Sequence, residues 1–179
     1  LEQQAVSAYL VVDEPNPSAG ERRYALPEDH VGALVDVDDP AHVAPLADMV
    51  AGIGHVLTEV VAAYRTGAGV PYLSYGEALR RGQAGINRPA FTHDLTGSWL
   101  PALPDLHEAL ARPGVRIADL GCGLGCSSLA LARAYPDAEV VGIDSDLPSI
   151  EDARDLARDA GVQVQYVAAD AAEVGAHGP

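Results

Sequence analysis

The residues with the clearest chemical potential lie around position 121, where three glycines at alternate positions follow an aspartate. Asp119, Gly121, Gly123 and Gly125 stand in the run DLGCGLGCSS, at the end of a short apolar segment. Glycine loops that open a helix let a ligand approach the backbone closely. The run therefore predicts a nucleotide-binding loop, and its composition must decide which nucleotide fits.

The carboxylate of Asp119 separates the candidate nucleotides by charge. The pyrophosphate of a dinucleotide is doubly negative, and like charges about 4 Å apart cost roughly 4 kcal/mol at an effective dielectric of about 20. The dinucleotide pattern G-x-G-x-x-G would also place its third glycine at Cys126. S-adenosylmethionine has no phosphate and carries an ammonium and a sulfonium, so it suits an acidic loop. A nicotinamide oxidoreductase is disfavoured on the same ground.

Two further aspartates follow the next two apolar segments. Asp144, with Ser145 after it, ends AEVVGID, and Asp170, with Ala171 after it, follows VQVQYVA. A carboxylate at the end of a second strand accepts hydrogen bonds from ribose hydroxyls, a role that dinucleotide enzymes share. Asp170 is a candidate acceptor for an adenine amino group. The structural alternatives are a strand-end cap for Asp144 and a helix N-cap for Asp170.

Strands and helices alternate after Pro113, and they position these residues. Apolar runs predict three strands, and amphipathic segments predict the two helices between them. Short loops between such elements imply a parallel, right-handed sheet with its ligand beyond the carboxyl ends of the strands. The predicted fold class is α/β with a Rossmann-like sheet. The predicted strands are 115–120, 138–143 and 162–168, and the predicted helices are 127–136 and 148–161.

The chain before Pro113 is predicted to be mostly helical. Residues 8–26 contain two strands joined by a turn-forming segment, and Pro27 opens a short helix. Residues 41–66 carry apolar side chains on nearly every face of a predicted helix. Such a helix is normally buried, so we expect a partner subunit to cover it in a homodimer.

Residues 76–111 are predicted to form short helices separated by prolines. Arg88 precedes Pro89 and is therefore an expected break, which would make Asn87 an N-cap. Gln83 and Asn87 share one helical face if the helix continues, and both are candidate contacts for the ligand or its reaction partner.

Charged and titratable side chains in this segment give no firm catalytic assignment. His93, beside Asp94, is the imidazole that could act as a base if one is required. The alternative for His93 is a surface helix start. Arg80 and Arg81 are expected to be solvated, because a cation near a sulfonium is unfavourable.

Composition argues against several functional classes. The chain has 26 acidic and 11 basic residues, a net charge of −15, which repels a phosphate backbone and makes nucleic acid an unfavourable partner. No run of eighteen apolar residues predicts a membrane span, and no signal peptide is recognisable, so a cytoplasmic location is expected. Cys122 and Cys126 are interpreted as packing residues, and no residue spacing predicts a metal site.

The pattern DLGCGLG, followed by GID and AAD, resembles the class I S-adenosylmethionine-dependent methyltransferases over residues 115–174. The segment from GEALRR to LHEAL is similar to a bacterial subgroup that carries a winged-helix domain before the catalytic one. The resemblance implies methyl transfer by in-line displacement to a small-molecule acceptor. It also implies a set of cofactor contacts: Asp119, Gly121, Cys122, Gly123 and Gly125 at the methionine end, Asp144 and Ser145 at the ribose, and Asp170 and Ala171 at the adenine.

The resemblance also implies an arrangement of domains. Residues 1–40 would end a winged-helix-like domain, residues 41–111 would supply a linker, a dimerisation helix and a lid, and residues 112–179 would begin the cofactor-binding domain. The family's sheet has seven strands, so we expect this chain to be part of a longer protein. The alternative function is a transcription regulator whose methyltransferase-like domain senses a ligand. The ten acidic residues among residues 1–50, against two arginines, disfavour DNA binding.

Overall fold

The computed structural model describes residues 1–12, 18, 20–173 and 175. Helices dominate the first two thirds of this part of the chain, and a small parallel sheet with two helices forms the last third. The helices are α1 (Glu2–Val6), α2 (Val31–Leu34), α3 (Leu46–His55), α4 (Leu57–Thr66), α5 (Gly76–Pro89), α6 (Pro104–Leu110), α7 (Cys126–Ala134) and α8 (Leu147–Asp159). The strands are β1 (Val11–Val12), β2 (Tyr24–Ala25), β3 (Arg116–Leu120), β4 (Glu139–Asp144) and β5 (Gln165–Ala168).

The sheet confirms the predicted order of strands and helices after Pro113. β4 lies between β3 and β5, and both pairings are parallel. Asp119 pairs with Gly142, and Asp144 pairs with Ala168, so both aspartates lie near the carboxyl ends of neighbouring strands. The fold therefore places the predicted site residues of β3 and β4 at one edge of the sheet.

Two clusters of buried apolar side chains hold the helices on the sheet. Ile150 and Ala153 of α8 are fully buried and pack with Tyr166 of β5 and Cys122 of the glycine loop. A second cluster joins Leu131 and Tyr135 to Val140 of β4, with partly buried side chains of the preceding helical segment against it. Burial of the larger aliphatic side chains among them, such as Ile150, contributes roughly 1.5–3 kcal/mol each.

The helix α5 does not break at Arg88, so the prediction of a break there was wrong. α5 includes Pro89 and continues as a π-helix over Ala90–Trp99. Proline lacks a backbone N–H, and its ring crowds the carbonyl one turn earlier. The wider π-helical turn that starts directly after Pro89 accommodates this defect, and Leu95 and Leu100 of the continued helix pack toward α7.

The predicted helix over residues 41–66 is two helices, α3 and α4, bent by 58° around the buried Val56. One face of α3 packs closely on α5, where a Cβ at Gly52 would clash with Leu79 and a Cβ at Gly82 would clash with Met49. Part of the surface of α3 is thus covered by α5 of the same chain. Large apolar side chains on the remaining faces of α3 and α4 are exposed: Leu46, Val50, Ile53, Leu57, Val61 and Tyr64. Val43, just before α3, is exposed as well.

In the described part of the chain, no single helix is long and apolar enough to cross a membrane. The bent pair α3 and α4 passes the same test by length and composition when the two helices are taken together.

The first forty residues form small elements that are tied to α5. β1 and β2 are antiparallel, and a 3₁₀ turn over Glu28–His30 leads into α2, so the predicted strand pair and short helix are confirmed. The turn-forming joint between the two strands lies largely outside the described residues. Arg88 of α5 donates two hydrogen bonds to the Asp38 carboxylate, at 2.7 and 3.3 Å. This pair holds the pKa of Asp38 below its usual value.

Candidate functional site

A cleft of about 560 Å³ opens between the glycine loop and α5 with its π-helical continuation. One wall is formed by the ends of β3 and β4 and by the loop into α7. The opposite wall is formed by α5, the π-helical segment and Tyr72. The residues of the sheet side are Asp119, Leu120, Gly121, Cys122, Gly123, Leu124, Cys126, Ser127, Leu131, Asp144 and Ser145. Those of the helical side are Tyr72, Arg80, Gln83, Ala84, Asn87, Phe91 and Leu95.

The three predicted loop glycines all have positive φ angles, of +72° at Gly121, +52° at Gly123 and +82° at Gly125. Positive φ is readily available only to glycine. Gly121 and Gly123 face open space, so the backbone there is accessible to a ligand. A Cβ at Gly125 would clash with the hydroxyl of Tyr166. The glycines therefore shape an accessible loop at two positions and allow close packing at the third.

The first turn of α7 holds the Asp119 carboxylate. The hydroxyls of Ser127 and Ser128 both donate to Asp119 Oδ2, at 2.6 Å each. These bonds fix the orientation of the carboxylate in the cleft wall. The sequence drew attention to Asp119 but not to the two serines, although their position directly after the loop places them at the start of the helix.

Asp144 links the glycine loop to the beginning of α8. Its Oδ2 accepts from the backbone N–H of Gly123 at 2.8 Å, and its Oδ1 accepts from the N–H of Asp146 at 2.9 Å. A carboxylate has about four acceptor positions, so two backbone bonds leave capacity for hydroxyl donors from a ligand. The strand-end cap and the ribose contact are thus compatible roles of one side chain.

Gln83 and Asn87 lie on the same face of α5 and both line the cleft. The prediction that Asn87 caps a new helix was wrong, because α5 continues past it. The Tyr72 hydroxyl donates to Gln83 Oε1 at 3.4 Å. Burial, followed by the charges of Asp146 and Asp144, raises the pKa of Tyr72, so this hydroxyl keeps its proton. Sequence patterns gave no signal for Tyr72, which enters the cleft through tertiary packing.

Arg80 is mostly buried in the cleft wall, and the prediction that it is solvated was wrong. Its side chain is 13% exposed, and its Nε lies 3.5 Å from Oδ2 of Asp146, whose side chain is 3% exposed. Asp146 also caps α8 by accepting from Ser149. Arg81 is exposed and pairs with Glu77, as expected for a solvated arginine. The D-x-x-S pattern of Asp146 and Ser149 could have predicted the N-cap of α8. No local pattern in the sequence indicated that Asp146 would lie beside Arg80.

Three predicted residues lie away from the cleft walls. His93 Nε2 is 2.6 Å from the backbone carbonyl of Asp38, so this ring contacts the first forty residues instead of the cleft. Asp170 is exposed, and its Oδ1 accepts from the N–H of Ala172 at 2.8 Å. This hydrogen bond supports the interpretation of Asp170 as a helix cap, while an adenine contact from Asp170 or Ala171 stays a prediction.

Both cysteines pack as small apolar groups. Burial, followed by the charges of Asp119 and Asp144, raises the pKa of Cys122 to about 12, and burial also raises the pKa of Cys126. Both are free thiols. Among the described residues, no group of three or more histidine, cysteine, aspartate or glutamate side chains could hold a metal ion.

Comparison with known proteins finds similarity to methyltransferases, mainly in the last third of the chain. Residues 117–178 match the family model described as a methyltransferase domain. Over 58 residues the chain is 36% identical to ribosomal RNA small subunit methyltransferase C of Stutzerimonas stutzeri, covering 32% of this chain and 18% of that protein. Over 45 residues it is 44% identical to trans-aconitate 2-methyltransferase of Afipia carboxidovorans, covering 25% of this chain and 18% of that protein.

The fold is similar to that of a solved methyltransferase over a longer stretch. The mitomycin 7-O-methyltransferase MmcR matches 95% of this chain and 50% of its own length, with a TM-score of 0.55 and 16% identity. At this identity the likeness shows the fold alone. The chain thus spans about half of the solved neighbour and about a fifth of the curated relatives. The segment that matches the methyltransferase domain model, residues 117–178, includes the glycine loop at which the cleft lies.

Proposed function

We propose that the protein is an S-adenosylmethionine-dependent methyltransferase that methylates a small molecule. The observation that carries this proposal is the cleft between the glycine loop and α5, with the oriented carboxylates of Asp119 and Asp144 in its wall. The match of residues 117–178 to a methyltransferase domain, and relatives named as methyltransferases, support both the activity and the cofactor.

The residues of the cleft fit this cofactor in shape and charge. Gly121 and Gly123 leave the backbone open, and Asp119 favours the cationic methionine end. Asp144 has acceptor capacity for the ribose hydroxyls, with Ser145 beside it. When bound, S-adenosylmethionine supplies an electrophilic methyl group on a good leaving group.

The chain's own contribution to the reaction would be alignment and enclosure. α5 forms the wall opposite the loop, so Gln83 and Asn87 are placed to contact the cofactor or the acceptor. Holding two reactants in line is worth up to roughly 7–11 kcal/mol in favourable cases. The half-buried apolar side chains of Phe91 and Leu95 would reduce the access of water to this wall. No group of the cleft is assigned as a base.

A small-molecule acceptor is favoured by the charge of the chain. The trans-aconitate enzyme is named for a small substrate, whereas the Stutzerimonas relative is named for ribosomal RNA. The net charge of −15 opposes approach to a phosphate backbone, which supports the small molecule. No observation on the described residues favours a transcription regulator.

The proposed assembly is a homodimer that buries the exposed apolar side chains of α3 and α4. Six large apolar side chains on α3 and α4 are exposed, and so is Val43 just before α3. A group of exposed apolar side chains of this size is typical of a surface that contacts another protein. The same proposal assigns a role to each region. Residues 1–40 would end a winged-helix-like domain, residues 41–111 would supply the dimerisation helix and the lid, and the cofactor domain would begin at residue 112. The proposed location is the cytoplasm.

Replacing Asp144 by alanine tests the proposed cofactor site. The variant should bind S-adenosylhomocysteine about 1.5–3 kcal/mol more weakly in calorimetry of the full-length protein, because charge-assisted hydrogen bonds to hydroxyls are lost. Asp137→Ala is the matched control, since it removes an exposed carboxylate from the turn before β4. Equal affinities of the Asp144 variant and the wild type would reduce Asp144 to a cap.

A further inference from the structure

Tyr72 lies on the helical side of the cleft, opposite the wall that contains Asp144. It begins a 3₁₀ turn over Tyr72–Tyr75 that packs against α5. Pro71 precedes it with a φ of −58°, and the Ser74 N–H donates to the Pro71 carbonyl at 3.0 Å. The φ that proline fixes and this hydrogen bond close the turn, so local structure defines where the backbone of Tyr72 lies beside the cleft.

The side chain of Tyr72 has both surface and hydrogen-bonding capacity to offer a ligand. The residue is 44% exposed, and a tyrosine combines a large apolar ring with a polar tip. Its hydroxyl donates to Gln83 Oε1 over 3.4 Å, whereas O–H···O hydrogen bonds are usually about 2.5–3.0 Å long. Because this bond is long, the hydroxyl loses little when it turns to a nearer acceptor.

The carboxylates on the facing side act on the same hydroxyl. Burial raises the pKa of Tyr72, and the charges of Asp146 and Asp144 raise it further, so the hydroxyl is a hydrogen-bond donor at neutral pH. Asp144 is the proposed acceptor for the ribose hydroxyls. A hydroxyl that donates its hydrogen to a carboxylate keeps lone pairs that can accept from a phenol. Tyr72 and Asp144 are therefore complementary to the accepting and the donating capacity of one ribose hydroxyl.

We propose that Tyr72 is a cofactor-binding residue whose hydroxyl donates to a ribose hydroxyl that itself donates to Asp144. The inference rests on the proposed function, since it requires S-adenosylmethionine in the cleft. On binding, Tyr72 exchanges its long hydrogen bond to Gln83 for one to the ribose, and its ring covers this end of the cleft. The Gln83 amide is then free to contact the ligand, as its position in the cleft wall allows.

Calorimetric titration of the full-length protein with S-adenosylhomocysteine tests this contact. Tyr72→Phe keeps the ring and removes the hydroxyl, and it should weaken binding about three- to tenfold. Tyr75→Phe is the matched control, because it makes the same change in the same turn at a residue outside the cleft lining. That control should bind with the wild-type Kd. Circular dichroism and thermal unfolding check that both variants are folded.

Deoxy analogues of S-adenosylhomocysteine separate a ribose contact from a structural role of Tyr72. The ratio of the Kd values of Tyr72→Phe and the wild type should persist with one of the 2′-deoxy and 3′-deoxy analogues. It should fall to one with the other analogue, which lacks the accepting oxygen. The same ratio for all three ligands, or an unchanged Kd of Tyr72→Phe for S-adenosylhomocysteine, would overturn the inference and leave the proposed function intact. A wild-type protein that binds no S-adenosylhomocysteine at millimolar concentration would overturn the proposed function, and the inference with it.

Discussion

Gly125 illustrates how much of the site depends on single residues of the loop. It combines a φ of +82° with close contact to the Tyr166 hydroxyl, which donates to the Gly125 carbonyl at 3.3 Å. The sequence predicted a glycine loop and its adjoining aspartate. It did not predict the tyrosine or the two serines that hold this geometry, because they meet the loop only once β5 and α7 are packed.

Gly125→Ala is expected to destabilise the protein by about 2–4 kcal/mol, since it adds a clash with Tyr166 to the cost of a positive φ. Gly161→Ala is the matched control: its φ is +65°, and no atom lies within 4 Å of the added Cβ. That control should cost only about 1–2 kcal/mol. Urea unfolding of both variants measures the difference, and equal losses would contradict the packing account of Gly125.

Local sequence patterns were sufficient to predict the strands of the parallel sheet, but they did not predict how the helices before the sheet are arranged. The strands β3, β4 and β5 were predicted because each is a short apolar run between turn-forming residues. The continuity of α5 through Pro89 was missed, because the rule for residues before proline is local and the π-helical continuation is supported by packing against α7. The burial of Arg80 was missed because its partner, Asp146, is distant in sequence.

The Arg80–Asp146 ion pair is expected to hold α5 against the start of α8, beside the cleft. Arg80→Met should lower the free energy of unfolding by about 2–4 kcal/mol, because Asp146 would keep a buried charge without its cation. Arg81→Met, which removes an exposed cation from the adjacent position, should change it by less than about 1 kcal/mol. Urea unfolding gives both values, and hydrogen exchange of α5 should accelerate only in the Arg80 variant. Indistinguishable variants would show that the pair does not hold the helix.

At the scale of the whole molecule, the exposed apolar surface of α3 and α4 is the feature to explain. The sequence predicted an apolar helix that needs cover. It could not predict that the helix is bent at Val56 or that α5 covers one face of α3. The remaining exposure, 69% at Val50 and 57% at Leu57, is what the proposed homodimer would bury.

Val50→Glu with Leu57→Glu should therefore produce monomers or aggregates of the full-length protein, since two charges cannot be buried in an apolar interface without partners. Multi-angle light scattering measures the mass. Leu103→Glu places a charge at an exposed leucine outside these helices and should leave the mass unchanged. A soluble dimer in the double variant would show that other surfaces hold the subunits together.

The acidic glycine loop is proposed to select a cationic, phosphate-free nucleotide. The most direct test of this proposal is calorimetric titration of the full-length wild-type protein with S-adenosylmethionine and, separately, with NAD⁺. The carboxylates of Asp119 and Asp144 predict a roughly micromolar Kd for S-adenosylmethionine and no measurable heat from NAD⁺ at millimolar concentration. Tight binding of NAD⁺ with none of S-adenosylmethionine would contradict the account.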